Sequence, residues 1–112
     1  MENQYLIEIT TLLKQARPKL SVTHRLEFKN VFGAVGAYVD GHIFASCGKF
    51  GFALRLPPET LDALFKKKEA RRLKYFPKGH VKKEYAVLLN RVLGNKHQLE
   101  ELIDESVKFV LK

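Results

Sequence analysis

From Tyr5 to Ala16 the apolar residues Tyr5, Leu6, Ile9, Leu12, Leu13 and Ala16 return every three or four positions, the stripe of an amphipathic helix. Pro18 ends it, because the residue before a proline is pushed out of helical geometry. The period then changes to two. Leu26 and Phe28 alternate with Glu27 and Lys29, which predicts a strand with one wet face. Asp40-Gly41 between apolar runs predicts a hairpin turn, since both residues tolerate positive φ. Ile43 to Ser46 forms the return strand, and Gly48-Lys49 marks a second turn. Beyond it Phe50, Phe52, Leu54 and Leu56 alternate with Gly51, Ala53 and Arg55, which predicts a further antiparallel strand. Gly51 and Ala53 leave its opposite face thin, open to a closely packed helix or to a partner.

Pro57-Pro58-Glu59 opens a second helix, with fixed proline φ and a carboxylate suited to its N-terminus. Leu61, Leu64 and Phe65 form its buried stripe, and Lys66 to Lys68 suit the negative end of its dipole. Leu73 to Phe76 reads as a short strand, 77–80 as a turn and Glu84 to Leu89 as the partner strand. Asn95 with Gln98 three residues on has the form of a capping box. Leu99, Leu102, Ile103, Ser106, Val107 and Val110 then carry helical spacing onward. The predicted class is α+β, with an antiparallel sheet of about five to six strands packed with three helices in the order α-β(3-4)-α-β(2)-α. No repeat or linker interrupts residues 1–112, which read as a single domain.

Composition sharpens this picture in one place. The chain is 46% hydrophobic and 29% charged, too apolar for a disordered segment. Its apolar runs are far shorter than a membrane span, and its start lacks the pattern of a secretory signal, so a cytoplasmic location is expected. The net charge is +8, and residues 66–83 account for it, with nine basic groups against Glu69. The stretch contains Lys66, Lys67, Lys68, Arg71, Arg72, Lys74, Lys78, Lys82 and Lys83, interleaved with Tyr75 and Phe76. Cations beside aromatic rings are the composition of a nucleic-acid surface. The plainer reading is a solvated helix end and loop, because adjacent lysines on a helix diverge by about 100°.

Other candidate chemistry is sparse. His24, His42, His80 and His97 are scattered, and His42 with Cys47 is the only close pair of soft ligands, so no metal site is expected. Cys47, the single cysteine, reads as a small buried hydrophobe. Glu100, Glu101, Asp104 and Glu105 lie opposite the apolar stripe of the last helix and read as solvated, free to meet the basic stretch of a second copy, with a strand edge the other route to a two-fold pair. Gly33 to Gly36 fails as a phosphate loop because a strand, not a helix, follows.

The run Phe32-Gly-Ala-Val-Gly-Ala-Tyr-Val-Asp-Gly-His-Ile-Phe-Ala, followed by the strand at Phe50 to Leu56, resembles the N-terminal domain of the TfoX (Sxy) family. That family's pattern is Met-Phe-Gly-Gly, then Gly-x-Tyr-x-x-Gly, then Phe-Ala. Val31 stands where Met is usual and Ala34 where a second Gly is usual. The motif residues Phe32, Gly33, Gly36, Tyr38, Gly41 and Phe44 also have structural reasons, as turn or close-approach glycines and as aromatic core. The resemblance implies a fold similar to YgaC-type domains and an association with competence and transcription regulation in bacteria. The expected function is non-enzymatic and regulatory, exercised on a protein partner or a second copy, with no cofactor and no small-molecule substrate identified. The alternative is direct nucleic-acid binding through Lys66, Lys67, Arg71, Arg72, Lys74, Lys78, Lys82 and Lys83.

Overall fold

A computed structural model describes residues 3–31, 33–74 and 82–112. Its first helix, α1 (Gln4–Ala16), starts where the Asn3 side chain accepts from the backbone of Tyr5 and Leu6, and it buries Ile9, Leu13 and Ala16. A single turn, α2 (Leu20–Thr23), leads into β1 (Leu26–Val31) and β2 (Ala34–Val39). At the end of β2, Asp40 and Gly41 have φ of 47° and 87°, so both centres of the turn are left-handed, as the sequence predicts. The Asp40 carboxylate also accepts from the Arg25 backbone N–H at 2.9 Å, which ties the turn back to the entrance of β1.

Strands β3 (His42–Gly48) and β4 (Gly51–Arg55) complete a four-strand meander. Helix α3 (Pro58–Lys66) begins with Pro58 at its first position, and β5 (Ala70–Leu73) and β6 (Lys82–Leu88) follow. A second single turn, α4 (Asn90–Leu93), precedes α5 (Lys96–Val110). Among the described residues, six strands join one antiparallel sheet in the order β1-β2-β3-β4-β6-β5. The α+β class and element order match the sequence reading, with the one-turn helices α2 and α4 added. Too short to carry an apolar stripe, these left no periodic signal.

The register explains which face the helices cover. One row across the sheet runs Phe28, Ala37, Ala45, Leu54, Ala86, Arg72, and its three alanines let helices approach closely. There α1 lies on β2 and β3, α5 on β3 and β4, and α3 against β5 and β6. Ile9, Leu13, Phe44, Phe52, Leu54, Leu56, Leu99 and Ile103 fill this core, and burying each such side chain contributes about 1.5–3 kcal/mol.

The next row, Lys29, Gly36, Ser46, Ala53, Val87, Arg71, points to the opposite face. A small second cluster of Ala53, Leu73 and Val87 forms there, with Phe50 and Tyr85 packed on it. Phe50 therefore leaves the alternation predicted for it. It sits in the turn before β4 and crosses Gly48, where a Cβ would lie 2.9 Å from its ring and 2.9 Å from the Ala34 Cβ. The thin strip foreseen at Gly51 and Ala53 is thus partly closed by a ring rather than by a helix.

A bulge between β2 and β3 departs from simple alternation. The register passes from Ala37 opposite Ala45 to Tyr38 opposite Ile43, leaving Phe44 as an extra residue without a strand partner. This lets the neighbours Phe44 and Ala45 both enter the core, where each is 0% exposed. The Ser106 hydroxyl of α5 reaches the Phe44 carbonyl at 2.9 Å and the Arg55 carbonyl at 2.6 Å, its one proton shared between them.

Candidate functional site

The basic stretch begins where α3 ends. Lys66 is the last helical residue and Lys67 its cap, and Lys68 takes a left-handed conformation with φ 57°. The Lys68 N–H donates to the Phe65 carbonyl at 3.1 Å and the Glu69 N–H to the Leu64 carbonyl at 2.9 Å, the paired bonds of a Schellman ending. Glycine is the usual residue at that left-handed position, and here a lysine occupies it. Arg91 of α4 adds bonds from one guanidinium nitrogen to the carbonyls of Lys67 at 2.9 Å and Lys68 at 2.5 Å. Nothing in the sequence pattern singles out Arg91, whose role depends on the unpredicted turn of α4.

The strand expected at Leu73–Phe76 instead starts at Ala70, so Arg71 and Arg72 lie within the edge strand β5. Strand geometry sends them to opposite faces. Arg71 donates to the Phe50 carbonyl at 2.6 Å on the second face. Arg72 lies 4.6 Å from the centre of the Phe65 ring of α3 on the helix side. Lys74 is exposed just past β5, and Lys83 is exposed in β6, whose first residue is Lys82. Lys78, Tyr75 and Phe76 fall outside the described residues. The structure thus gathers Lys66, Lys67, Arg71, Arg72 and Lys74 around one sheet edge without placing them on one face.

Among the described residues, no ion pair involves this stretch. The salt bridges join Arg17 to Asp104, Arg25 to Glu27, Arg55 to Glu84 and His97 to Glu101. The lone acid Glu69 accepts from the Gln98 side chain at 3.2 Å. That bond also explains why the capping box is half made: Asn95 caps α5 by accepting from the Gln98 N–H at 3.1 Å, while the Gln98 side chain turns to Glu69.

The acids of α5 stay at the surface, with Glu101 and Glu105 exposed and Glu100 and Asp104 half-buried, and two of them also reach other helices. Asp104 meets Arg17 of α1 at 3.1 Å, and Glu105 accepts from Thr60 of α3 at 2.7 Å. Both carboxylates are engaged within the molecule, fastening the outer helices to the central one.

The family motif resolves into fold roles. Gly33 has φ 80° and Gly41 φ 87°, whereas Gly36 is an ordinary strand residue buried in β2. Tyr38 is half-buried with the Lys29 ammonium 4.9 Å from its ring centre, Phe44 is the core residue of the bulge, and Phe32 lies outside the described residues. His42 and Cys47 sit at opposite ends of β3, about 17 Å apart at ordinary strand rise, so the close pair read from the sequence does not form. Cys47 is 1% exposed, and its thiol donates to the Glu8 carboxylate at 3.2 Å. Burial, then that bond and the charge of Glu8, pushes the thiol up to about 12. Among the described residues no three His, Cys, Asp or Glu side chains come together to hold a metal ion, and no helix is long and apolar enough to cross a membrane.

Comparison with curated proteins and with solved structures returned no match. The family model described as the TfoX N-terminal domain matches residues 19–110, a span running from α2 through the motif glycines and the cationic edge to the end of α5, and the chain belongs to that family.

Proposed function

We propose that this domain is a non-enzymatic cytoplasmic regulator, working by surface contact with an acidic protein partner in the control of natural competence in bacteria. Membership of the TfoX N-terminal domain family supports the regulatory part. The observation that carries the contact part is how the cations of the β5 edge are held. Arg71 and Arg91 are fixed by carbonyl oxygens and Arg72 by a ring, not by carboxylates. A guanidinium so held keeps its full charge and gains a fixed direction. Lys66, Lys67, Lys74 and Lys83 stand exposed beside them, so the positive charge is displayed rather than neutralised.

The second reading, direct nucleic-acid binding, draws on the same cations. The opposed directions of Arg71 and Arg72 count against it, because side chains on two faces of a sheet do not follow one phosphate backbone together. Deleting the gene in its host is expected to lower transformation frequency and the transcripts of DNA-uptake genes. Wild-type chain should restore both, and chain carrying Lys66→Glu, Lys67→Glu and Lys74→Glu should not. Unchanged transformation after deletion removes the regulatory reading. Titration of labelled duplex and single-stranded oligonucleotides at low salt separates the partner classes. No association at tens of micromolar protein retains the acidic protein, and binding whose affinity drops steeply with salt decides for nucleic acid.

A further inference from the structure

We propose that the free edge of β1 is a self-pairing surface, which joins two copies of this chain antiparallel about Phe28 into one continuous sheet. This surface lies at the opposite side of the sheet from β5, so the inference does not rest on the regulatory reading.

The two outer strands are built differently. β5 has four residues, two of them arginines, and a register shift between Arg72 and Leu73. Shortness, charge and a bulge are the devices that keep an edge from pairing. β1 has six residues in unbroken register with β2 and carries neither proline nor bulge. Which of its backbone groups face outward follows from one bond. The Asp40 N–H donates to the Arg25 carbonyl at 2.9 Å, and the register pairs Leu26 with Val39 one step further on. Antiparallel bonding alternates, so Glu27, Lys29 and Val31 bond inward to β2. The N–H and C=O groups of Leu26, Phe28 and Asn30 are left pointing out of the sheet.

A second copy satisfies all of these at once. With Phe28 opposite its own equivalent across a two-fold axis, Leu26 pairs with the other copy's Asn30 and the outward groups of all three residues are bonded. The same register brings Glu27 of each copy opposite Lys29 of the other. These are the non-hydrogen-bonded positions, where side chains come closest and opposite charges stabilise the pair. The strand is thus its own electrostatic complement: read backwards, Glu27-Phe28-Lys29 presents acid to base twice. Within one chain Glu27 meets the exposed Arg25 at 3.0 Å, and the Lys29 ammonium rests over Tyr38, so both remain able to reach across.

The surface beside the edge is apolar on the helix side, toward which Leu26 and Phe28 project. A groove of about 230 Å³ runs there, lined by Leu13, Pro18, Leu26 and Phe28 together with Lys14 and Arg17. Val22, in the turn that leads into β1, is 80% exposed. In this arrangement the two-fold stands perpendicular to the sheet and both helical layers lie on one side, so apolar flanks as well as strands approach each other. A short edge with modest flanks fits a dissociation constant of about micromolar order.

Sedimentation equilibrium and light scattering on the full chain, from about 1 to 200 μM, test this. Wild type is expected to pass from monomer to dimer over that range. Glu27→Lys and Lys29→Glu each set like charges opposite one another twice and should weaken the dimer about tenfold or more. Mixed in equal amounts, the two variants present opposite charges at both positions and should pair about as well as wild type, which a folding defect would not allow. Asn30→Pro removes an outward N–H and the exposed 3.4 Å side-chain bond from Asn3, but no bond to β2, and should leave a folded monomer with an unchanged circular dichroism spectrum. A wild-type chain that stays monomeric at about 200 μM, a dimer indifferent to charge reversal, or a mixture no better than its components would each overturn the proposal.

Discussion

The thiol of Cys47 shows how one buried group sets a measurable property of the chain. In the fold it stays protonated up to about 12, while the same thiol in an unfolded chain ionises near 9.0. Between those values the folded state holds the extra proton, so its contribution to stability is complete below pH 9 and is lost as pH rises toward 12. Urea denaturation of wild type and Cys47→Ala should therefore give a constant stability difference from pH 7 to 8.5 or so. Above pH 9 that difference should shift against wild type by up to about 1.4 kcal/mol per pH unit. Alkylation by iodoacetamide at neutral pH should follow global unfolding, since Cys47 is 1% exposed. Its burial was legible in the sequence, as an apolar residue within an apolar run. Its bond to Glu8 was not, because the partners lie 39 residues apart and meet only when α1 settles on β3.

At the next scale, two elements end or bend in ways that invite substitution. The left-handed Lys68 at the close of α3 occupies a position that glycine fills without a Cβ penalty. Lys68→Gly should raise stability by about 0.5–1 kcal/mol in thermal unfolding, with the gain in native geometry offset in part by a looser unfolded chain. A loss instead would mean that the lysine side chain makes a contact stronger than its backbone strain.

Ser106 acts where the β2–β3 ladder is broken. Ser106→Ala leaves the carbonyls of Phe44 and Arg55 without that donor, and should cost about 1–3 kcal/mol by urea unfolding. Both details mark the limit of reading elements from a string. Periodicity located α1, α3, α5 and the four-strand meander, because each buries one continuous stripe. It missed the bulge, since Ile43-Phe44-Ala45 is apolar throughout and an inserted residue leaves no phase to detect. It placed β5 three residues late because Arg71 and Arg72 look like loop residues, although one is held by a carbonyl and the other by a ring.

For the molecule as a whole, the concentration of charge in 66–83 was visible at once, but its division between two faces was not. Strand alternation made that division, and it required knowing that β5 begins at Ala70. Nor did any pattern along the chain pair Asp104 and Glu105 of α5 with Arg17 and Thr60, which arrive from distant helices. The two margins of the sheet are the feature with the widest reach. One is short, interrupted and bristling with cations, and the other is longer, in unbroken register and balanced in charge. With β1 as the one adhesive rim, as proposed, the molecule would have nowhere left to grow once that rim is occupied. Such an assembly would close at a couple instead of running on into a fibre, and each member would carry its cationic margin outward, to the far ends of a shared platform.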